Sequence, residues 1–111
     1  LMSLAHTASS TGNNLLICCS GTLNNSGSSH LQVVLYKTST AVFTCAGKGD
    51  SNWHTPFSFI YTETNVASTS AVTYYLRYGG NTGTFYVNRA NTGDYWAESN
   101  GWHMQIIEYT P

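Results

Sequence analysis

The chain has 111 residues, a formal net charge of −1 and only 8% charged residues, against roughly 25% in an average soluble protein. That length is one domain, enough for a single core without staples, and so little charge gives no field to draw nucleic acid or an anionic membrane surface. Aromatic residues make up 14% and Ser, Thr and Asn about a third, which argues against disorder and matches the hydroxyl-rich composition of extracellular β-proteins and virion proteins.

Residues 1–6 (LMSLAH) are expected to be a short strand end and residues 7–14 (TASSTGNN) a polar loop. Residues 15–20 (LLICCS) are an apolar run between turn residues, the pattern of a strand buried on both faces. A small-polar loop follows at 21–29. Residues 30–38 (HLQVVLYKT) alternate, with Leu31, Val33 and Leu35 on one face, and the close spacing to residues 41–46 (AVFTCA) implies a hairpin. After a second long loop, 47–55, comes a strand with Phe57, Phe59 and Tyr61 on one side.

The stretch 70–88 (SAVTYYLRYGGNTGTFYVN) is the clearest hairpin candidate. Val72, Tyr74, Leu76 and Tyr78 share one face, Thr73, Tyr75 and Arg77 the other, and a glycine-rich link supplies the positive-φ positions of a tight reversal. A third long loop, 89–100, leads to a closing strand at 101–109 (GWHMQIIEY). About eight strands with no helical apolar period predict an all-β, antiparallel two-sheet sandwich, most simply a jelly roll. An immunoglobulin-like sandwich is the alternative, without the Cys…Trp…Cys spacing to support it.

Cys18, Cys19 and Cys45 are an odd set, not a disulfide framework. Adjacent strand residues point to opposite faces, so Cys18 and Cys19 should not bond each other. Cys45 could meet either one across neighbouring strands, but buried free thiols are the simpler expectation and suit assembly in a reducing cytoplasm. No stretch approaches the ~18 apolar residues of a membrane-spanning helix, and no basic-then-apolar leader opens the chain. Beginning inside an expected strand, this single domain, 1–111, is expected to be the C-terminal part of something longer.

Chemistry has few footholds. His6, His30, His54 and His103 form no close pair, and Asp50 and Asp94 stand among turn residues without the extra carboxylates of a calcium loop. There is no G-x-S-x-G elbow, and a glycosidase pair would have to come from Asp50, Glu63, Asp94, Glu98 and Glu108, mostly loop residues. No enzyme activity and no cofactor or metal is expected. Trp53 with His54, Tyr95 with Trp96, and Trp102 with His103 are the better candidates. Their rings could stack on the apolar faces of sugars, anchor their loops, or pack in a subunit interface. Asn24-Asn25-Ser26 is a weak glycosylation sequon.

The segment Ala71-Val72-Thr73-Tyr74 followed by Gly83-Thr84-Phe85-Tyr86-Val87-Asn88-Arg89 is similar to a "SAVTY…GTxYVNR" pattern. That pattern occurs near the C-terminal end of many tailed-bacteriophage virion proteins. Met104-Gln105-Ile106-Ile107-Glu108-Tyr109 resembles the closing strand of that family, and Leu15-Leu16-Ile17 and residues 31–36 take the places of two of its earlier strands. Lys37 stands where the family often has Arg, the adjacent cysteines are foreign to it, and the strands that precede Leu1 in the family are not in this sequence. The resemblance implies a jelly-roll module of tail fibres, head fibres or capsid decoration, often trimeric, displayed on the virion surface after assembly in the host cytoplasm. Its expected partners are its own copies and other virion proteins, with no nucleic acid and no membrane insertion. Tyr75, Arg77, Arg89 and Glu108 are then candidate subunit contacts, with Arg89 and Glu108 able to pair. Two alternatives stay open: a fibre tip that holds host surface glycans, and a cellular lectin or adhesin of similar fold.

Overall fold

A computed structural model describes residues 2–26, 30–49, 55–80, 83–87 and 101–111. These form eight strands and, among the described residues, no helix: β1 (Met2–His6), β2 (Asn14–Asn25), β3 (His30–Lys37), β4 (Thr40–Lys48), β5 (Thr55–Glu63), β6 (Val72–Gly80), β7 (Phe85–Val87) and β8 (His103–Tyr109). Every pairing is antiparallel. One sheet has the order β1-β6-β3-β4, and the other centres on β2, with β5 on one side and β7 and β8 on the other. The chain is therefore the all-β, two-sheet antiparallel sandwich that its alternating strands imply. Two consecutive pairs, β3–β4 and β7–β8, stay within one sheet instead of crossing between layers.

The core follows from strand alternation, since successive side chains point to opposite faces. Leu15, Ile17, Cys19 and Leu23 of β2 face Leu31, Val33 and Leu35 of β3 and Tyr74 and Leu76 of β6, all buried. Phe57, Phe59 and Tyr61 share the inner face of β5, as their spacing predicts. Phe43 stacks on Phe59 with ring centroids 4.7 Å apart, closing the corner between the edge strands β4 and β5.

Two expectations about β2 change. Its outward residues Leu16 and Cys18 are half-buried, so the strand is buried on one face and not on both. It also runs on to Asn25, through residues that look like a loop. Gly21, Asn24 and Asn25 are poor strand formers in isolation, but β5 pairs with this segment as far as Leu23 and β7 from Leu23 to Asn25. Tertiary pairing overrides local preference here.

The expected hairpin at 70–88 does not form. β6 lies between β1 and β3 in one sheet, whereas β7 pairs with β2 in the other. The chain thus changes sheets between β6 and β7. Gly83 has φ +92°, and a Cβ on it would come within 2.3 Å of Asn25 Oδ1, so both conformation and space require glycine. The β3–β4 hairpin does form, turning at Thr38 (φ 56°) with a register shift between Leu35 and Tyr36.

β7 and β8 occupy one line beside β2. β7 pairs with Leu23, Asn24 and Asn25, and β8 with Asn14 through Ser20. Gly21 and Thr22 alone separate the two pairings along β2, while residues 88–102 intervene in the chain.

Candidate functional site

The antiparallel registers bring polar residues together at one end of the sandwich. Leu15 lies opposite both Glu63 and Glu108, His6 opposite Val72, and Lys37 opposite Tyr74. Both glutamates continue inward-facing series, Glu63 after Phe57, Phe59 and Tyr61 and Glu108 after Met104 and Ile106. A charge at an inward register position needs partners, and both have them.

Glu63 accepts a hydrogen bond from Lys37 Nζ on Oε1 and from the Tyr74 hydroxyl on Oε2. Tyr74 is buried. That burial first, and the adjoining Glu63 carboxylate second, push its pKa well above the ordinary tyrosine value. Glu108 takes donors from β1 and the β1–β2 loop. Asn13 Nδ2 donates to Oε1 at 2.7 Å, Ser9 N and Oγ each donate to Oε1 at 2.8 Å, and His6 Nε2 donates to Oε2 at 3.0 Å. The Asn13 bond first, then those from Ser9, lower the Glu108 pKa to about 2. A cleft of about 70 Å³ lies in this end, lined by His6, Leu15, Lys37, Glu63, Val66 and Tyr74 among others.

A general base is most effective with a pKa near the working pH, and Glu108 is held far below it. Both oxygens of Glu63 are already engaged. Glu108 ties the β1–β2 loop to β8, and Glu63 ties β5 to β3 and β6 of the facing sheet. The β1–β2 loop is tied further to the β5–β6 loop, by Gly12 N to Val66 O at 2.8 Å and Val66 N to Asn13 O at 2.9 Å. Among the described residues no three His, Cys, Asp or Glu side chains group as a metal site would require. Sequence reading missed Lys37, Tyr74, Ser9 and Asn13 as partners, although a charge ending an inward apolar series was the available signal.

At the opposite end, Trp102 turns into the core. Its ring meets Phe57 edge-on at 5.1 Å and Tyr78 edge-on at 5.7 Å, and its Nε1 donates to Thr22 O at 2.7 Å. The ring thus packs between the two sheets. His103, the next residue, is exposed opposite Ser20 on the outer face of the β5-β2-β8 sheet. Asn24 is fully buried, and among the described residues its Nδ2 has no hydrogen-bond partner, so the folded chain offers this sequon no access.

Tyr75 and Arg77 face outward from β6, as the alternation implies. The Arg77 guanidinium lies 5.0 Å from the ring centre of Tyr36 and 5.6 Å from that of Tyr75, two cation–π contacts that hold it against the sheet. Trp53, His54, Tyr95, Trp96 and Arg89 lie outside the described residues, and with them the expected Arg89–Glu108 pair. Cys18, Cys19 and Cys45 are all free thiols. Burial is the main reason the Cys19 pKa rises to about 12.

Compared with protein-family models and with curated proteins, the chain matches none.

Proposed function

We propose that this chain is a non-enzymatic structural module of a tailed-phage virion, a surface-displayed β-sandwich that serves capsid decoration or fibre assembly together with its own copies. The observation that carries this reading is the placement of the two most specific pieces of the resemblance. Of the Tyr86-Val87-Asn88-Arg89 piece, Tyr86 and Val87 lie in β7, far in sequence from the closing strand, yet β7 and β8 lie end to end along β2. These two pieces thus adjoin along one edge of one sheet, while the rest of the similarity lies on β2, β3 and β6. The polar groups support it too, since both described carboxylates, Glu63 and Glu108, bind neighbouring loop and strand residues.

The glycan-holding alternative loses one of its ring sites, because Trp102 is packed against Phe57 and Tyr78. Mass spectrometry of purified, dissociated particles tests the proposal. The chain should be present in a fixed ratio to the major capsid or tail subunit, and its absence from the particle would sink the reading.

A further inference from the structure

The cleft at the Glu63 end of the sandwich combines a buried lining with polar groups that have capacity to spare. Ala8, Leu15, Val66 and Tyr74 are the buried part of that lining, and Lys37 and Glu63 are its charged part. Its volume of about 70 Å³ is several times the roughly 10–15 Å³ that one water needs, so it admits about five or six heavy atoms of an organic molecule.

The polar atoms are partnered but not saturated. An ammonium has three donors, and Lys37 Nζ directs one of them to Glu63 Oε1. An ionised carboxylate has about four acceptor positions, and Lys37 and Tyr74 take one on each oxygen of Glu63. Donor and acceptor therefore stand side by side at one wall of the cleft.

Charge selects the ligand class. Lys37 and Glu63 form an ion pair, so their charges cancel. An anion entering the cleft meets the Glu63 carboxylate, and a cation meets the Lys37 ammonium. A neutral molecule that donates to one and accepts from the other gains from both. We propose that this cleft binds a neutral vicinal diol, a short polyol or the edge of a sugar. One hydroxyl donates to Glu63, its neighbour accepts from Lys37, and the C–H groups pack on Ala8, Leu15 and Val66.

The lining is fixed before a ligand arrives. Gly12 N donates to Val66 O at 2.8 Å and Val66 N to Asn13 O at 2.9 Å, which holds the Val66 segment against the β1–β2 loop. The Tyr74 and Lys37 bonds hold the Glu63 carboxylate in the same way. Binding thus orders little of the protein. A ligand of this size still binds weakly, with a Kd on the order of 10 mM.

NMR titration of the chain, following the Val66 and Ala67 amides, tests the proposal. Glycerol, a short polyol, and methyl α-mannopyranoside, a sugar with adjacent hydroxyls, distinguish the two sources of the diol, and at least one should give a saturable shift. 1,3-Propanediol, whose hydroxyls are not adjacent, should bind roughly tenfold more weakly than glycerol or the mannoside, whichever saturates. Lys37→Met removes the donor, and Ala67→Leu, at an exposed residue of the lining, narrows the cleft. Each should weaken the diol by about tenfold or more. Thr44→Leu, on the exposed part of β4, should leave binding unchanged, and spectra otherwise like the wild type show that each variant is folded. No saturable shift from either diol, equal binding of 1,3-propanediol, tighter binding of acetate or methylammonium, or indifference to both lining substitutions would overturn it. The site does not depend on the virion reading, since a chain absent from particles removes that reading and leaves diol binding untouched.

Discussion

Trp102 occupies the space that Gly21 leaves empty on the inner face of β2. A Cβ on Gly21 would sit 2.5 Å from Trp102 Cδ1, closer than real Cβ contacts come, and 3.0 Å from Phe57 Cε1. The indole bridges Phe57 of one sheet and Tyr78 of the other, and its Nε1–H is satisfied by Thr22 O. The strand position with no side chain and the residue just before β8 are thus one packing unit.

Both partners are testable by denaturant unfolding. Gly21→Ala overpacks the site and should cost about 1–3 kcal/mol. Trp102→Ala removes the ring and should cost about 3 kcal/mol. Because the two residues share one space, the double variant should lose less than the sum of the single losses. Strict additivity would show that they do not share it.

Acid should act through Glu108. Its pKa falls from 4.5 to about 2 on folding, because Asn13, Ser9 and His6 hydrogen-bond the ionised form. A depressed folded-state pKa contributes stability that is fully present above the unfolded value and is lost as pH falls toward the folded one. Urea midpoints should therefore drop between about pH 4.5 and about pH 2. Glu108→Gln should flatten that part of the profile while lowering stability at neutral pH. A wild-type slope that survives in Glu108→Gln would assign it to other carboxylates.

The Glu63 cluster predicts a different signature. Removing the hydroxyl in Tyr74→Phe deletes one of two donors to the Glu63 carboxylate and should cost about 1–2 kcal/mol. Glu63→Ala should cost more, since it leaves the buried Tyr74 hydroxyl and Lys37 without their acceptor. A Glu63→Ala variant no less stable than Tyr74→Phe would contradict this order.

The parts of this architecture legible in the sequence are those where alternation and turn chemistry agree. Leu31, Val33 and Leu35 against Gln32, Val34 and Tyr36 mark β3, and the short break before β4 marks their hairpin. The glycines at 79–83 carry the right chemistry for a reversal, but local signals do not say which sheet receives the next strand, and β7 goes to the other one. The end of β2 was hidden because Gly21 and Asn24 have meaning only beside Trp102 and β7. The Glu108 partners come from the far end of the chain, so no local pattern contains them.

The three thiols should separate by reactivity. The thiolate is the reacting species, and Cys19, buried in the core with its pKa raised to about 12, offers almost none at neutral pH. Cys18 and Cys45 are half-buried on their strands. Alkylation of the native chain near pH 8, followed by peptide mapping, should therefore modify Cys18 and Cys45 first and Cys19 last. Cys19 should become equally reactive once the chain is unfolded in denaturant. Labelling of Cys19 in the native chain as fast as that of Cys18 would contradict this order.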